Sequence, residues 1–216
     1  MRLVDVWPLH GLRLTTADLE LRPTTEAELP QLCTILPSDL ETDPAATRYA
    51  GLDDRANHRA ILAQSYWRAM GTWSTHDWVV PFAVRHDGEL VGMQALEGPD
   101  WTSDRTVDSW SWLTTDSRGR GWGKQMRAAV LALAFGSLGA RTAISSAVID
   151  NVSSLGVSRS LGYRETHVSV LEHSGQTLRH VRLDRDAWQA SGLADEIVVE
   201  GVDPATLALF GGAGDA

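Results

Sequence analysis

The chain has 216 residues, of which 43% are hydrophobic and 22% are charged, so its composition is that of a globular protein and excludes disordered, collagen-like and coiled-coil classes. A formal net charge of −9 disfavours general nucleic-acid binding, because the chain and a phosphate backbone would repel each other. The single cysteine and the lack of a secretory core or a membrane-length apolar run predict a cytoplasmic protein without membrane association.

The first third of the chain predicts extended structure followed by two helices. Leucines alternate with polar residues over 12–22, which favours strand, and Pro23 ends the pattern. Residues 25–36 begin with a Thr-x-x-Glu capping box and predict a helix that Pro30 weakens. The acidic stretch 37–54 predicts a loop, and the apolar spacing over 54–73 predicts a second helix.

A β-hairpin and a further strand are predicted in the middle of the chain. Two apolar runs flank Asp87-Gly88, a dipeptide that favours a tight turn because glycine accepts a positive φ. Pro81 cannot donate to a sheet ladder, so its strand is expected to be an edge strand or irregular. Residues 106–115 alternate as a strand, and the helix after the following glycine-rich loop is expected to bury Ala128–Phe135 on two faces.

The last third predicts strand, short helix and a second hairpin. The run "TAISSAVI" favours strand, Gly162 ends the helix that follows, and two strands flank Ser174-Gly175. The order is that of a β-rich α/β domain, for which we assign residues 1–190, with a C-terminal extension over 191–216.

The glycine-rich loop, Arg118-Gly-Arg-Gly-Trp-Gly-Lys124, is the clearest candidate for ligand binding. It lies between a predicted strand and helix, where backbone N–H groups and the helix dipole attract an anion. Residues 118–127 carry four cations and no acid. The loop matches neither the Walker loop nor G-x-G-x-x-G. The alternative interpretation is a solvated basic turn before a buried helix.

The order of motifs resembles the GNAT family of acyl-CoA-dependent N-acyltransferases over Leu12–Trp188. The motifs are Arg118-x-x-Gly121-x-Gly123 after a strand and before an apolar helix, then Asn151-x-x-Ser154 and Leu161-Gly162-Tyr163. The sequence is most similar to the ribosomal-protein N-terminal acetyltransferase branch, and "VDSWSWL", "MRAAVLALAF" and "VEGVD…LFG" resemble a mycobacterial member with proposed succinyl-CoA dependence. The resemblance implies a mixed, mostly antiparallel α/β sheet with splayed central strands, flanked by helices.

The resemblance also implies how coenzyme A (CoA) would bind. The backbone of the glycine loop would hold the pyrophosphate, the strand before it would follow the pantetheine arm and offer one N–H to the thioester carbonyl, and two polar side chains after the next strand would contact the arm. These residues are Trp112, Leu113, Thr114, Arg118, Gly119, Arg120, Gly121, Trp122, Gly123, Lys124, Asn151 and Ser154. Asn151 and Ser154 also have the spacing of a helix N-cap, and the two roles are compatible.

Two residues are candidates for the chemical step. Asp108 occupies the strand position where this branch commonly carries an acid, and it is interpreted either as the base that accepts the ammonium proton or as a structural carboxylate. Many members place a tyrosine four residues before the glycine of the Leu-Gly-Phe motif as the acid that protonates sulfur. Ser158 stands at that position; because serine is a poor acid, the alternatives are that the thiolate leaves without a general acid or that water supplies the proton.

The substrates are less defined than the family. The co-substrate is acetyl-CoA or succinyl-CoA, the second of which would require a cation such as Arg105 for its carboxylate. The acceptor is a primary amine, which the acidic residues of 37–54 either attract or merely border. A non-catalytic CoA-binding protein is the alternative, and a homodimer is implied only by resemblance. Cys33 is interpreted as core, and the histidines show no metal-ligand spacing, so no metal is expected.

Overall fold

The computed structural model describes residues 1–40, 46–172 and 174–212, and in these residues one nine-stranded sheet is flanked by helices. The strands are β1 (Arg13–Thr15), β2 (Glu20–Pro23), β3 (Trp78–His86), β4 (Glu89–Gly98), β5 (Thr106–Leu113), β6 (Thr142–Val148), β7 (Arg164–Val170), β8 (Thr177–Asp184) and β9 (Val198–Glu200). The α-helices are α1 (Leu3–Val6), α2 (Leu29–Ile35), α3 (Asp54–Gly71), α4 (Trp101–Asp104), α5 (Trp122–Ala132), α6 (Val152–Ser160), α7 (Arg185–Ala190) and α8 (Pro204–Ala208). Among the described helices, none is both long and apolar enough to cross a membrane.

The strand order is β7-β8-β6-β5-β4-β3-β2-β1-β9, and every pairing is antiparallel except that of β5 with β6. This mixed, mostly antiparallel sheet confirms the predicted fold class. The predicted hairpin between β3 and β4 is also confirmed, with Asp87 and Gly88 at φ 48° and 84°.

The sheet divides between β5 and β6. These strands pair only at Thr106 with Thr142 and at Val107 with Ala143, whereas β5 continues its pairing with β4 as far as Leu113. The two strands therefore separate after Val107. A parallel ladder that ends this early leaves backbone groups of both strands free in a gap through the sheet.

Alternation along β5 directs its side chains to two different layers. Trp112 packs with Met93 of β4, Leu32 of α2 and Leu62 of α3 on one face. Leu113, one residue later, belongs to the larger core on the opposite face, which includes α5. Because side chains of a strand point alternately to the two faces, Asp108 and Trp110 lie on the same face as Trp112.

Pro81 does not mark an edge strand, so that prediction is wrong. It lies in β3, between β2 and β4, and its carbonyl oxygen accepts a hydrogen bond of 2.7 Å from the Thr24 N–H. The partner strand β2 ends at Pro23. The missing N–H of Pro81 therefore falls where the ladder with β2 stops, and no interior bond of the sheet is lost.

The C-terminal segment is packed into the same body. Strand β9 pairs with β1, and Phe210 is buried against Trp73 and Trp78 with ring centroids 5.4 and 4.8 Å apart. The Phe210 carbonyl oxygen also accepts a 2.9 Å hydrogen bond from the indole N–H of Trp101. Three of the nine tryptophans, Trp73, Trp78 and Trp101, thus pack around Phe210.

Candidate functional site

The gap between β5 and β6 opens into a cleft with a volume of about 1330 Å³. One face of α3 forms one wall, and Gly123, Met126 and Arg127 of α5 contribute to another. The first turns of α6 and residues 145–150 at the end of β6 complete the lining. The early end of the β5–β6 ladder is thus the feature that creates the cleft.

The glycine loop lies at the end of the cleft where β5 terminates. Gly119 and Gly121 have φ of 75° and 79°, values that favour glycine, and a Cβ at either position would meet no atom within 4 Å. Within the described residues, the N–H groups of Gly119–Gly123 have no backbone acceptor. Five unpaired amides beside the first turn of a helix can bind an anion such as a phosphate.

Lys124 differs from the other loop residues because its amide is already used. Its N–H donates to the Gly121 carbonyl oxygen at 3.1 Å, so only its ammonium group remains for a ligand. Trp122 is buried, packs 4.3 Å from the ring of His86 and carries the Arg120 guanidinium over its face at 5.2 Å. The tryptophan of the loop therefore anchors it to the protein body.

Arg118 spans from the loop to the opposite wall. Its guanidinium donates two hydrogen bonds of 2.6 and 2.8 Å to the carboxylate of Asp39, and its Nε donates to the Leu113 carbonyl at 3.3 Å. The Arg118 guanidinium holds the pKa of Asp39 below its usual value. Asp39 and a ligand phosphate would therefore compete for the same guanidinium.

The amides of β5 decide which residues can hold a thioester carbonyl. The Thr114 N–H donates to the Val91 carbonyl at 2.9 Å and is not available, and the antiparallel register directs the Trp112 amide to β4 as well. The same alternation points the amides of Ser111 and Leu113 into the gap. Of the three residues predicted on this strand, Leu113 is the one whose amide points into the gap, and the amide of Ser111, which the sequence did not single out, points there as well.

Asn151 and Ser154 line the cleft at the start of α6. The Asn151 side-chain oxygen accepts a hydrogen bond of 3.0 Å from the Ser154 N–H, which confirms the predicted helix cap. Among the described residues, the amide NH₂ of Asn151 and the hydroxyl of Ser154 form no side-chain hydrogen bond, so both can serve a ligand in the cleft.

Asp108 lies at the point where β5 and β6 part, and it has an acidic neighbour that the sequence reasoning missed. The register of β4 and β5 places Glu97 directly opposite Asp108, on the same face of the sheet. Burial raises the pKa of Asp108, which the Ser109 N–H and the charge of Arg127 oppose. Burial also raises the pKa of Glu97, and the nearby Asp108 and Asp77 raise it further while a hydrogen bond from Trp110 lowers it.

Ser158 is buried and fully hydrogen bonded. Its hydroxyl donates to the Ser154 carbonyl at 3.1 Å and accepts a bond of 2.8 Å from Nη1 of Arg127. Arg127 is 4% exposed, its Nε has no partner among the described residues, and it lines the cleft. The sequence reasoning counted Arg127 only as one of four local cations, because a position on an apolar helix does not reveal which way it faces.

Other candidates lie elsewhere or outside the described residues. Arg105 stacks on Trp101 at 4.8 Å and does not line the cleft. Cys33 is half-buried, and its thiol contacts the Arg59 carbonyl oxygen at 3.8 Å. Glu41 and Asp43 of the acidic loop lie outside the described residues. Within the described ranges no group of three or more potential metal ligands is found.

Comparison with known proteins agrees with this geometry. The model of the acetyltransferase (GNAT) domain matches residues 18–164. RimJ of Mycobacterium smegmatis, solved in complex with CoA-disulfide, has a TM-score of 0.68 at 17% identity, with 88% of this chain and 97% of that chain covered. Mutant forms of the spermidine/spermine N-acetyltransferase SpeG of Vibrio cholerae give 0.63 at 12% identity, with 82% and 99% covered. RimL, a ribosomal-protein alpha-N-acetyltransferase in complex with coenzyme A, gives 0.61 at 14% identity, with 80% and 97% covered. At such identities these likenesses concern the fold.

Proposed function

The chain belongs to the GNAT acetyltransferase family, and from this premise we propose that it transfers an acetyl group from acetyl-CoA to a primary amine. The observation that carries the proposal is the gap between β5 and β6, which joins five unpaired loop amides at one end to two carboxylates at the other. A ligand with phosphates on the loop and an arm along β5 would bring its acyl end to Asp108. An attacking amine would enter from the side of α3.

The residues of the cleft fit this donor. The amides of Gly119–Gly123 would bind the pyrophosphate, Asn151 and Ser154 would contact the arm, and the Ser111 or Leu113 amide would donate to the thioester carbonyl oxygen. Negative charge grows on that oxygen as the amine attacks, so an amide fixed in a strand stabilises the transition state without rearrangement.

Asp108 and Glu97 would remove the proton from the acceptor. A carboxylate whose pKa is raised is a better base near neutral pH than an ordinary one, and burial raises the pKa of both groups. Glu97 and Asp77 line the cleft beside the exposed indole of Trp110, and the strand register places Asp108 next to Glu97. An acceptor that is a cation before deprotonation fits this side of the cleft.

The donor and the acceptor are tested together. Purified protein is given acetyl-CoA or succinyl-CoA with spermidine, a peptide with an N-terminal serine, or a peptide with an internal lysine, and free CoA thiol is measured. We expect acceptor-dependent release with acetyl-CoA. Tight CoA binding without any acceptor-dependent release would instead assign a non-catalytic CoA-binding role.

Succinyl-CoA remains the second candidate donor because Arg68 and Arg127 are among the cations that line the cleft, and either could pair with its carboxylate. A faster reaction with succinyl-CoA than with acetyl-CoA would favour it. A homodimer stays a prediction from the resemblance and a cytoplasmic location a prediction from the sequence, and the molar mass in solution tests the first.

A further inference from the structure

We propose that Arg127 stabilises the thiolate of CoA as it leaves, so that the charge of a guanidinium takes the place of a proton donor. The proposal rests on the acyl-CoA chemistry proposed above. It concerns a residue that neither the motifs nor the comparisons assign to the reaction.

The Arg127 side chain is buried and has no ion-pair partner in the described part of the chain. It is 4% exposed, yet no carboxylate of the described residues forms an ion pair with it. Its one hydrogen-bond partner is the neutral hydroxyl of Ser158, at 2.8 Å from Nη1, and its Nε is buried without a partner. A buried cation without a paired anion destabilises a folded protein, because no ion pair offsets the free energy lost when its charge leaves water.

Arg127 also lies close to the place that the CoA sulfur would occupy. Arg127 follows the glycine loop on the helix that the loop begins, and it lines the cleft together with Val157 of α6. Asp108 and Tyr163 are the ionisable groups whose charges act on it, and Asp108 marks the closed end of the gap. From Leu113 back to Asp108 the strand rises about 17 Å, the direction that an arm anchored at the loop would take. The sulfur would thus lie at the end of the cleft that Arg127 borders.

The two hydroxyl groups near Arg127, those of Ser158 and Tyr163, are poor proton donors to sulfur. Ser158 donates its proton to the Ser154 carbonyl, so it has none to give to sulfur. Tyr163 is buried, and burial raises its pKa well above the ordinary value. Neither group is therefore suited to protonate a thiolate near neutral pH. Burial lowers the pKa of Arg127, which Tyr163 and Asp108 oppose, but a guanidinium starts so far above neutrality that it keeps its charge near neutral pH and can stabilise the anion without transferring a proton.

The amine nitrogen forms a bond to the thioester carbon, and the carbon–sulfur bond breaks with its electron pair passing to sulfur. The amine proton passes to the carboxylate of Asp108 or Glu97 and from there to water. The thiolate leaves paired with the Arg127 guanidinium, and it takes a proton from water after release.

The pKa of the CoA thiol in its complex with the protein is the direct test. It is followed by thiolate ultraviolet absorbance across pH in a Cys33→Ser background, because Cys33 is the only other thiol in the system. We expect binding to lower the thiol pKa by about one unit or more from its value in free CoA, since a nearby opposite charge favours the thiolate. Arg127→Gln should return it to the free value, and Arg127→Lys should keep part of the shift.

Arg159→Gln is the matched control, because Arg159 follows Ser158 directly but is exposed and paired with Glu165. It should leave the thiol pKa of bound CoA unchanged. CoA affinity and thermal unfolding are measured for every variant. If Arg127→Gln does not fold, the comparison of Arg127→Lys with wild type decides, because lysine keeps the charge but moves it.

Kinetics give the second readout. With the acceptor that responds in the panel above, Arg127→Gln should lower kcat about tenfold or more for acetyl-CoA and succinyl-CoA alike, with little change in KM. An unshifted thiol pKa in the wild-type complex, or a shift that survives Arg127→Gln, overturns the proposal. A loss confined to succinyl-CoA also overturns it, because Arg127 would then bind the acyl carboxylate. If no acceptor responds, the proposed function fails, while the thiol pKa still decides the charge at sulfur.

Discussion

Replacing Gly121 by alanine tests whether the glycine loop binds CoA through its backbone. Gly121 has φ 79° and caps α5, and a Cβ there would meet no atom within 4 Å. The substitution therefore adds conformational strain without a clash. That strain is about 1–2 kcal/mol for a residue with a side chain in the left-handed region. At about 2–4 °C per kcal/mol for a chain of this size, we expect Tm to fall by about 2–8 °C.

The chain offers a control with the same strain at a distance from the cleft. Gly192 has φ 69°, and its Cβ position is equally open. Gly192→Ala should lower Tm by a similar amount and leave CoA binding as it is. In Gly121→Ala, the loop relieves its strain by turning amides away from their common focus. Losing one charge-assisted hydrogen bond removes about 1.5–3 kcal/mol, so Kd for CoA should rise about 10- to 150-fold.

Titration calorimetry with CoA measures both variants beside the wild type. If Gly121→Ala is folded and binds CoA as tightly as Gly192→Ala, the loop amides do not hold the pyrophosphate. An equal loss of affinity in both variants would mean that strain acts through general destabilisation and would also refute the local argument.

Three further predictions concern the core, the base and the cleft wall. Phe210→Ala should lower the free energy of unfolding by about 3–5 kcal/mol, because its ring is buried against two tryptophans. Denaturant unfolding measures this loss, and Val198→Ala, at an exposed position, is the control. Asp108→Asn should lower acceptor-dependent kcat. The wild-type rate should fall as the pH decreases through the pKa of Asp108 or Glu97, which burial raises above the ordinary value of about 4. If Asp108 is the base, this fall in rate at low pH should be lost in Asp108→Asn. Saturating CoA should change tryptophan emission in the wild type and less in Trp110→Phe, since Trp110 lines the cleft, and an identical change in both would exclude it as the reporter.

Local signals in the sequence predicted most of the elements correctly. The Thr25–Glu28 capping box, the Asp87-Gly88 turn and the end of α6 at Gly162 all depend on contacts within a few residues, and the structure contains each of them. Pro81 shows where such reasoning fails. The missing donor of a proline matters only opposite a paired strand, and the length of that partner strand is not visible in the local sequence.

The site divides in the same way. The glycine loop and the helix cap at Asn151 are contiguous motifs, so they could be found without coordinates. Glu97 and Arg127 could not, because each acquires its meaning from a neighbour distant in sequence. Glu97 faces Asp108 only through the register of β4 and β5, and Arg127 reaches Ser158 across 31 positions.

The net charge is −9, but two carboxylates and the basic loop of the cleft lie on opposite faces of the sheet, because side chains alternate along β5. Asp108 and Trp110 point to the face that α3 covers, and Glu97 joins them through the strand register. Arg127 approaches from α5 on the opposite face, where the basic glycine loop also begins. A cationic acceptor and an anionic donor can therefore approach one gap from opposite faces of the sheet, each meeting charge of the opposite sign. Asp108 lies beside Glu97 and acts on the charge of Arg127 at the point where β5 and β6 part. An amine and a thioester that enter from opposite faces would meet there.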